Sequence, residues 1–391
     1  MVTRELQREL LEAAAEYPVV TILGPRQSGK TTLARMTFPG WEYRSLEDPD
    51  VRLIAQTDPR SFLDGLPHGT ILDEIQRGPE LLSYIQGRVD REKKSGQFIL
   101  TGSHQPALQA GISQSLAGRT AVLTLLPFSL SELRHYRKTW NPFDLVVRGC
   151  FPRLHEEKLT HRRFFNGYIQ TYVERDLRSL INLKDLRVFQ RFLTLLAGRV
   201  GQIVNYSSLG NDVGVSSTTI KNWVSILGAS FIVFELPPYF ENIGKRVIKS
   251  PKLYFTDPGL VAYLTGIETP EQAVRDPLRG ALFENLVILE LLKTRLNRGL
   301  VPSLFFYRDT NGNEVDVIIK SGRRLVPVEI KSARTFTEEF LKGISGFRAT
   351  VGGRAVGGFV LYNGRERFEV KGVGVFNPFV HTGLAAAVEP K

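Results

Sequence analysis

The stretch Gly24-Pro25-Arg26-Gln27-Ser28-Gly29-Lys30-Thr31-Thr32 carries the clearest chemistry in the chain. Glycine accepts backbone conformations that a Cβ disfavours, so Gly24 and Gly29 let successive N–H groups turn toward phosphate oxygens. Lys30 is placed to reach the β- and γ-phosphates, and Thr31 to offer its hydroxyl to Mg²⁺. A helix starting here adds positive potential at the same point. Asp73-Glu74 supplies two carboxylates: Asp73 for the Mg²⁺, Glu74 to orient and deprotonate an attacking water. ATP as ligand with Mg²⁺ as cofactor follows from these residue types. Ser103 is a third candidate, able to hydrogen-bond the γ-phosphate or the water, or simply to cap a strand end. Arg119 and Arg153 are candidates to neutralise charge on the transferred phosphoryl group, from within the subunit or from a neighbour. Each suits a structural or DNA-facing arginine equally well.

These groups need a scaffold, and the apolar pattern provides one. The β-branched run Val19-Val20-Thr21-Ile22-Leu23 reads as a buried strand ending at Gly24, and Leu33-Ala34-Arg35-Met36 as a helix. Leu6, Leu10, Leu11 and Ala14 give residues 3–16 an amphipathic helical face. Further strands are expected at 41–46, 69–74, 97–103 and 121–127, with helices starting at 47–50 and spanning 81–91. Strands alternating with helices imply a parallel sheet covered on both faces, an α/β P-loop fold over residues 1–170.

A middle part, 171–278, is expected to be helical, with a helix over 164–181 leading in and three short helices over 188–228. Within it, Leu209 and Val213, a turn at Gly214, an N-cap at Ser216 and then Ile220, Trp223, Val224 and Leu227 have helix-turn-helix spacing. Ser217, Thr218, Thr219, Lys221 and Asn222 are left facing outward, short polar donors suited to a groove or to phosphates. A hairpin of 231–236 and 246–255 across Pro237-Pro238 would add a wing, with Lys245 and Arg246 on it. Such modules also serve as mere packing units. From 279 to 391 a helix at 281–297 precedes strands at 304–307, 314–319 and 325–331.

Composition narrows the class. Among 391 residues, 42% are hydrophobic and 23% charged, as in ordinary globular proteins. Lys and Arg exceed Asp and Glu by 51 to 40, a formal charge of +11, which suits a polyanionic partner such as DNA. A lone cysteine, Cys150, excludes an internal disulfide. The charged, helical start is unlike a signal peptide, and no apolar run is long enough to span a bilayer. No membrane association and a cytoplasmic location are expected.

Gly24–Thr32, Leu72-Asp73-Glu74-Ile75-Gln76, Leu100-Thr101-Gly102-Ser103, Gly118-Arg119, Pro127-Phe128-Ser129 with Glu132, and Gly149-Cys150-Phe151-Pro152 together resemble the prokaryotic AAA+-type ATPases whose C-terminal half is a domain of unknown function. Tyr172-Val173-Glu174-Arg175-Asp176-Leu177 resembles the segment opening that half. The order of Glu284 on a helix, Asp316 on a strand and Glu329-x-Lys331 on the next resembles the PD-(D/E)XK nuclease-like fold. That resemblance implies Asp316 and Glu329 as ligands of a second Mg²⁺, Lys331 stabilising water or phosphate, and Glu284 supporting the metal shell. Glu-x-Lys in a strand is also ordinary cross-strand charge pairing, and the fold serves non-cleaving DNA-binding platforms too. The expectation is an ATP-hydrolysing, homo-oligomeric motor or remodeller of DNA, branched or repair-type DNA included. The alternatives are an ATP-gated Mg²⁺-dependent endonuclease and a regulatory switch with a protein partner.

Overall fold

The structure, a computed structural model, describes residues 2–103, 106–173, 185–240, 250–309, 312–382 and 384. Its N-terminal part is a five-stranded sheet in the order β2-β3-β4-β1-β5, with β1 Val19–Gly24, β2 Glu42–Ser45, β3 Thr70–Asp73, β4 Phe98–Ser103 and β5 Thr120–Thr124. Every pairing in it is parallel. β1 is buried along its whole length because helices cover both faces. Strand alternation divides its side chains: Val20 and Ile22 join one apolar cluster with Leu6, Leu10 and Leu33, while Val19 and Leu23 join another with Leu72, Ile85 and Leu100. All carboxyl ends therefore lie along one edge. There β4 runs between β1 and β3, which sets Ser103 between Gly24 and Asp73.

The middle part contains helices Leu186–Ala197, Tyr206–Val213 and Ser217–Ala229. Gly214 ends the second in the left-handed region at φ 84°, where glycine is favoured. Ser216 caps the third, its Oγ accepting from the Thr219 N–H. Ile220, Trp223, Val224 and Leu227 are buried on the inner face, with the Trp223 ring 5.2 Å from Phe189 and 5.1 Å from Phe192. β6 Val233–Leu236 then pairs antiparallel with β7 Lys252–Phe255. The expected wing residues Lys245 and Arg246 lie outside the described residues, as does the 174–177 part of the resemblance segment.

Helix Arg279–Leu296 leads into a six-stranded mixed sheet, β12-β13-β11-β10-β9-β8. The three strands read from sequence, β8 Leu304–Arg308, β9 Glu314–Ser321 and β10 Arg324–Lys331, form its antiparallel side. Helix Lys342–Val351 crosses to β11 Phe359–Tyr362, which runs parallel to β10, and β12 Phe368–Val370 and β13 Val373–Phe376 complete it. The largest apolar cluster unites side chains of 126–169 with those of the middle and C-terminal parts. The segment after β5 is thus built into the later modules, although strand–helix alternation stays legible to about residue 170. The helix foreseen at 164–181 begins as His161–Tyr168 followed by a π-helical turn, Ile169–Val173, and its 174–181 part lies outside the described residues.

Candidate functional site

At the end of β1 the chain can only be glycine. A Cβ on Gly24 would lie 2.1 Å from the Leu125 carbonyl oxygen. Gly29, the N-cap of helix Lys30–Thr37, sits at φ 93°. Lys30 is buried, its Nζ donating to the carbonyls of Gly24 at 3.1 Å and Pro25 at 2.8 Å. Burial lowers its ammonium to a pKa of about 8, against the pull of Glu74 and Asp73. Two buried hydroxyls flank this loop with no hydrogen-bond partner among the described residues: Ser28 Oγ inside it, and Ser103 Oγ on the strand position paired with Gly24. Buried polar atoms are rarely left unpaired, so these two mark space built for polar atoms from elsewhere. Phosphate oxygens fit that requirement.

Asp73 ends β3 and collects three hydroxyls. Its Oδ1 accepts from Thr31 Oγ1 at 2.7 Å and from Thr101 Oγ1, and its Oδ2 from Tyr43 OH at 3.0 Å. Burial and the Asp73 charge push the Tyr43 phenol up to about 12. The Thr31–Asp73 pair offers oxygen donors of the type Mg²⁺ takes. Glu74 adopts φ 58°, a left-handed backbone that costs a non-glycine residue on the order of 1 kcal/mol. Gln76 Nε2 donates to its carboxylate. Tyr43 and Thr101 were not singled out from sequence; a tyrosine and a threonine inside β-strand patterns carry no signal by themselves.

The two arginines part company. Arg119 precedes β5 beside Val19, at the strand end opposite the loop, and is held by Asp90 through Nε at 2.6 Å and Nη2 at 2.9 Å. Six residues of strand, roughly 20 Å at about 3.3 Å each, separate it from Gly24, which corrects the expectation that it serves this loop from within the subunit. Arg153 stands on helix Pro152–Glu156, whose Pro152 ring approaches Gly29, and pairs on the surface with Glu157 at 2.9 Å.

Arg4, unremarked in the sequence, is the group that fixes the loop. Its Nη1 donates to Ser28 O at 2.7 Å, Nη2 to Leu126 O at 2.7 Å and Nε to Glu132 Oε1 at 2.8 Å. Glu132 closes a capping box on Ser129. From the other side, Lys293 Nζ donates to Phe128 O at 2.8 Å and to Glu290 Oε1 at 3.0 Å, and Glu290 Oε2 accepts from Leu130 N–H at 2.6 Å. Arg4, which also holds the phosphate loop, and helix Arg279–Leu296 therefore grip the same short segment, Leu126–Glu132.

In the C-terminal sheet the four expected residues converge but are closed among themselves. Lys331 Nζ bridges Asp316 at 3.1 Å and Glu329 at 2.6 Å, and Asp316 also accepts from the Ile330 N–H at 2.7 Å. Glu284 accepts from Tyr254 OH and pairs with Lys252 at 3.5 Å. Burial and the nearby Asp316 push the Glu329 and Glu284 carboxyls up. Burial also works against the Asp316 charge, but Lys331 and Lys252 outweigh it and hold that carboxyl below its usual range. Among the described residues no group of three or more His, Cys, Asp or Glu is arranged to hold a metal, and the expected ligands Asp316 and Glu329 are bridged by Lys331. On the helix-turn-helix, Ser217, Thr218, Lys221 and Asn222 are exposed as expected, while Thr219 is half-buried and its Oγ1 bonds Ser216. No helix among the described residues is long and apolar enough to cross a membrane. Cys150 is buried, and burial pushes its thiol up to about 12.

An AAA domain family model matches residues 16–134, and two domains of unknown function, DUF8612 and DUF4143, match 140–271 and 279–380. Uncharacterized protein Rv2008c of Mycobacterium tuberculosis is 32% identical over 341 residues, covering 85% of this chain and 74% of that protein. This chain belongs to the same family, AAA-type P-loop ATPases. An uncharacterized Haemophilus influenzae protein is 24% identical over 84% of this chain and 86% of its own length. Among solved structures, the Walker-type ATPase PabY2304 of Pyrococcus abyssi aligns with a TM-score of 0.39 at 16% identity, over 66% of this chain and 94% of that one. The RuvB Holliday junction branch migration motor of Thermotoga maritima aligns at 0.33 and 20%, over 60% and 90%.

Proposed function

We propose that this AAA-type ATPase couples hydrolysis of Mg²⁺-ATP to binding and moving DNA. The observation carrying the nucleotide half is the convergence of Lys30, Asp73, Glu74 and two buried hydroxyls without partners among the described residues at one edge of the parallel sheet. Lys30 and the loop N–H groups hold the triphosphate, Thr31 and Asp73 orient the metal shell, and Glu74 takes the proton of the attacking water. Mg²⁺, when bound, neutralises phosphate charge. Ser103 positions the terminal phosphate.

The DNA half rests on the net charge of +11 and on the exposed row Ser217, Thr218, Lys221 and Asn222 at the start of a helix whose other face is buried. Coupling runs through Leu126–Glu132, held by Arg4, which also holds the loop at Ser28 O, and by Lys293 and Glu290 from helix Arg279–Leu296. A shift of the loop on nucleotide binding thereby reaches the modules that grip DNA. ATP turnover measured at low salt with single-stranded, duplex and four-way DNA tests this. Stimulation by DNA, lost in Lys30→Ala, is expected; turnover indifferent to every DNA form removes the DNA half.

A further inference from the structure

Four carboxylates meet in the C-terminal sheet: Glu284 from helix Arg279–Leu296, Glu314 and Asp316 from β9, and Glu329 from β10. Lys331 comes from the same sheet, but Lys252 does not. It arrives from β7, in the two-stranded ribbon that follows the helix-turn-helix. Its side chain is 6% exposed, with Nζ 2.7 Å from Glu314 Oε1, 3.5 Å from Glu284 Oε1 and 5.6 Å from the Phe306 ring centre. Residues two apart on a strand face the same side, so Tyr254 points the same way and donates its hydroxyl to Glu284.

Several of the oxygens facing this space are already engaged or crowded. Asp316 Oδ2 takes Lys331 and the Ile330 N–H, Glu329 Oε2 takes Lys331, and Glu329 Oε1 lies so close to Gly343 that a Cβ there would be 2.2 Å away. Mg²⁺ demands near-octahedral oxygens at about 2.1 Å, whereas an ammonium supplies its own N–H donors to carboxylates. The ribbon is also fastened by backbone. Beyond β6, Phe306 N–H donates to Pro237 O at 3.0 Å, and Tyr239 N–H donates to Phe306 O at 2.6 Å, on β8.

We propose that Lys252 is the resident cation of this carboxylate cluster, and that the cluster latches the ribbon of the middle module onto the C-terminal sheet instead of forming a divalent-metal hydrolytic centre. The DNA-facing helix and the C-terminal sheet then move as one body. This inference stands apart from the ATP-driven reading and fails separately from it.

Mn²⁺ alone, added to nucleotide-free full-length protein, is the probe, read by the EPR signal of free Mn²⁺ and by thermal melting. Wild type is expected to bind no Mn²⁺ that Asp316→Asn removes, and to leave plasmid DNA uncut. Lys252→Met is expected to melt roughly 5–10 °C lower, as when one partner leaves a buried charge cluster. Mn²⁺ at 1 mM (about a hundred-fold above the protein) is expected to recover part of that loss, but not in Lys252→Met combined with Asp316→Asn. One Mn²⁺ bound per wild-type chain and lost with Asp316→Asn overturns the proposal, as does Mn²⁺-dependent nicking with the same dependence. So does Lys252→Met melting with wild type. If Lys252→Met does not fold, the wild-type titration and nicking assay still decide the matter.

Discussion

The phosphate loop and the C-terminal carboxylate cluster are both buried, charged and assembled from several elements, yet they are finished differently. Around the loop, Ser28 Oγ and Ser103 Oγ are buried without partners among the described residues, Lys30 is held by backbone carbonyls, and Glu74 carries a strained backbone. In the cluster, Glu284, Glu314, Asp316 and Glu329 each have an ammonium within reach. Leaving a buried group unpaired costs about 1–3 kcal/mol. A fold that bears this cost at one edge of a sheet is prepared for a ligand; a cluster that has paired its charges is holding two modules together. The difference separates the two regions where residue types alone do not.

The sharpest way to break the comparison is catalytic. Lys30→Ala is expected to lower ATP turnover by about 10²–10³-fold, and Glu74→Gln by about 10²–10⁴-fold while nucleotide binding persists, both read in a steady-state phosphate-release assay. Asp316→Asn is expected to leave basal turnover within about twofold, because it touches neither the loop nor Leu126–Glu132.

Stability should invert that order. Asp316→Asn strips a buried pair and is expected to cost about 3–5 kcal/mol in urea unfolding. Ser103→Ala removes a hydroxyl with no partner among the described residues and is expected to cost less than about 1 kcal/mol, while weakening ATP binding measurably in calorimetry. A large stability loss in Ser103→Ala would blur the distinction between the two regions.

Titration sharpens it further. Lys30 is lowered from 10.5 to about 8 in the folded chain. Between those values the unfolded chain holds more protons, so nucleotide-free stability is expected to rise with pH across that window. ATP binding, which favours the charged ammonium, is expected to weaken as pH climbs above about 8, by up to about tenfold per unit. Lys30→Met should flatten both trends. The smallest effect is expected on helix Ser217–Ala229, proposed to face DNA, where Lys221→Ala should reduce the salt slope of DNA affinity by about 1 without changing sequence preference.

Most of the loop was legible because chemistry there demands residue types: glycine where a Cβ would meet Leu125 O, lysine and threonine at fixed spacing, and carboxylates closing an apolar strand. The helix-turn-helix was legible for the same kind of reason, since Gly214, Ser216 and the buried face of Ile220, Trp223 and Leu227 are local rules. What sequence did not carry was long-range pairing. Arg4 reaches Ser28 across 24 residues of chain and Glu132 across 128, and Lys252 meets Glu314 from another module. The place of Arg119 is long-range in the same sense, because only the strand register reveals that it lies at the far end of β5 from the loop of its own chain. Strands β11–β13 escaped because strands this short, beside Gly358 and Gly372, leave little alternation to read.

Coupling between nucleotide and DNA is reciprocal at equilibrium, and that makes one binding measurement decisive. The affinity of a nonhydrolysable ATP analogue, determined at low salt with and without saturating duplex DNA, is expected to change by a factor of about 5–150, with the analogue altering DNA affinity by the same factor. Identical analogue affinity in the presence and absence of DNA, with both ligands bound, would contradict the account.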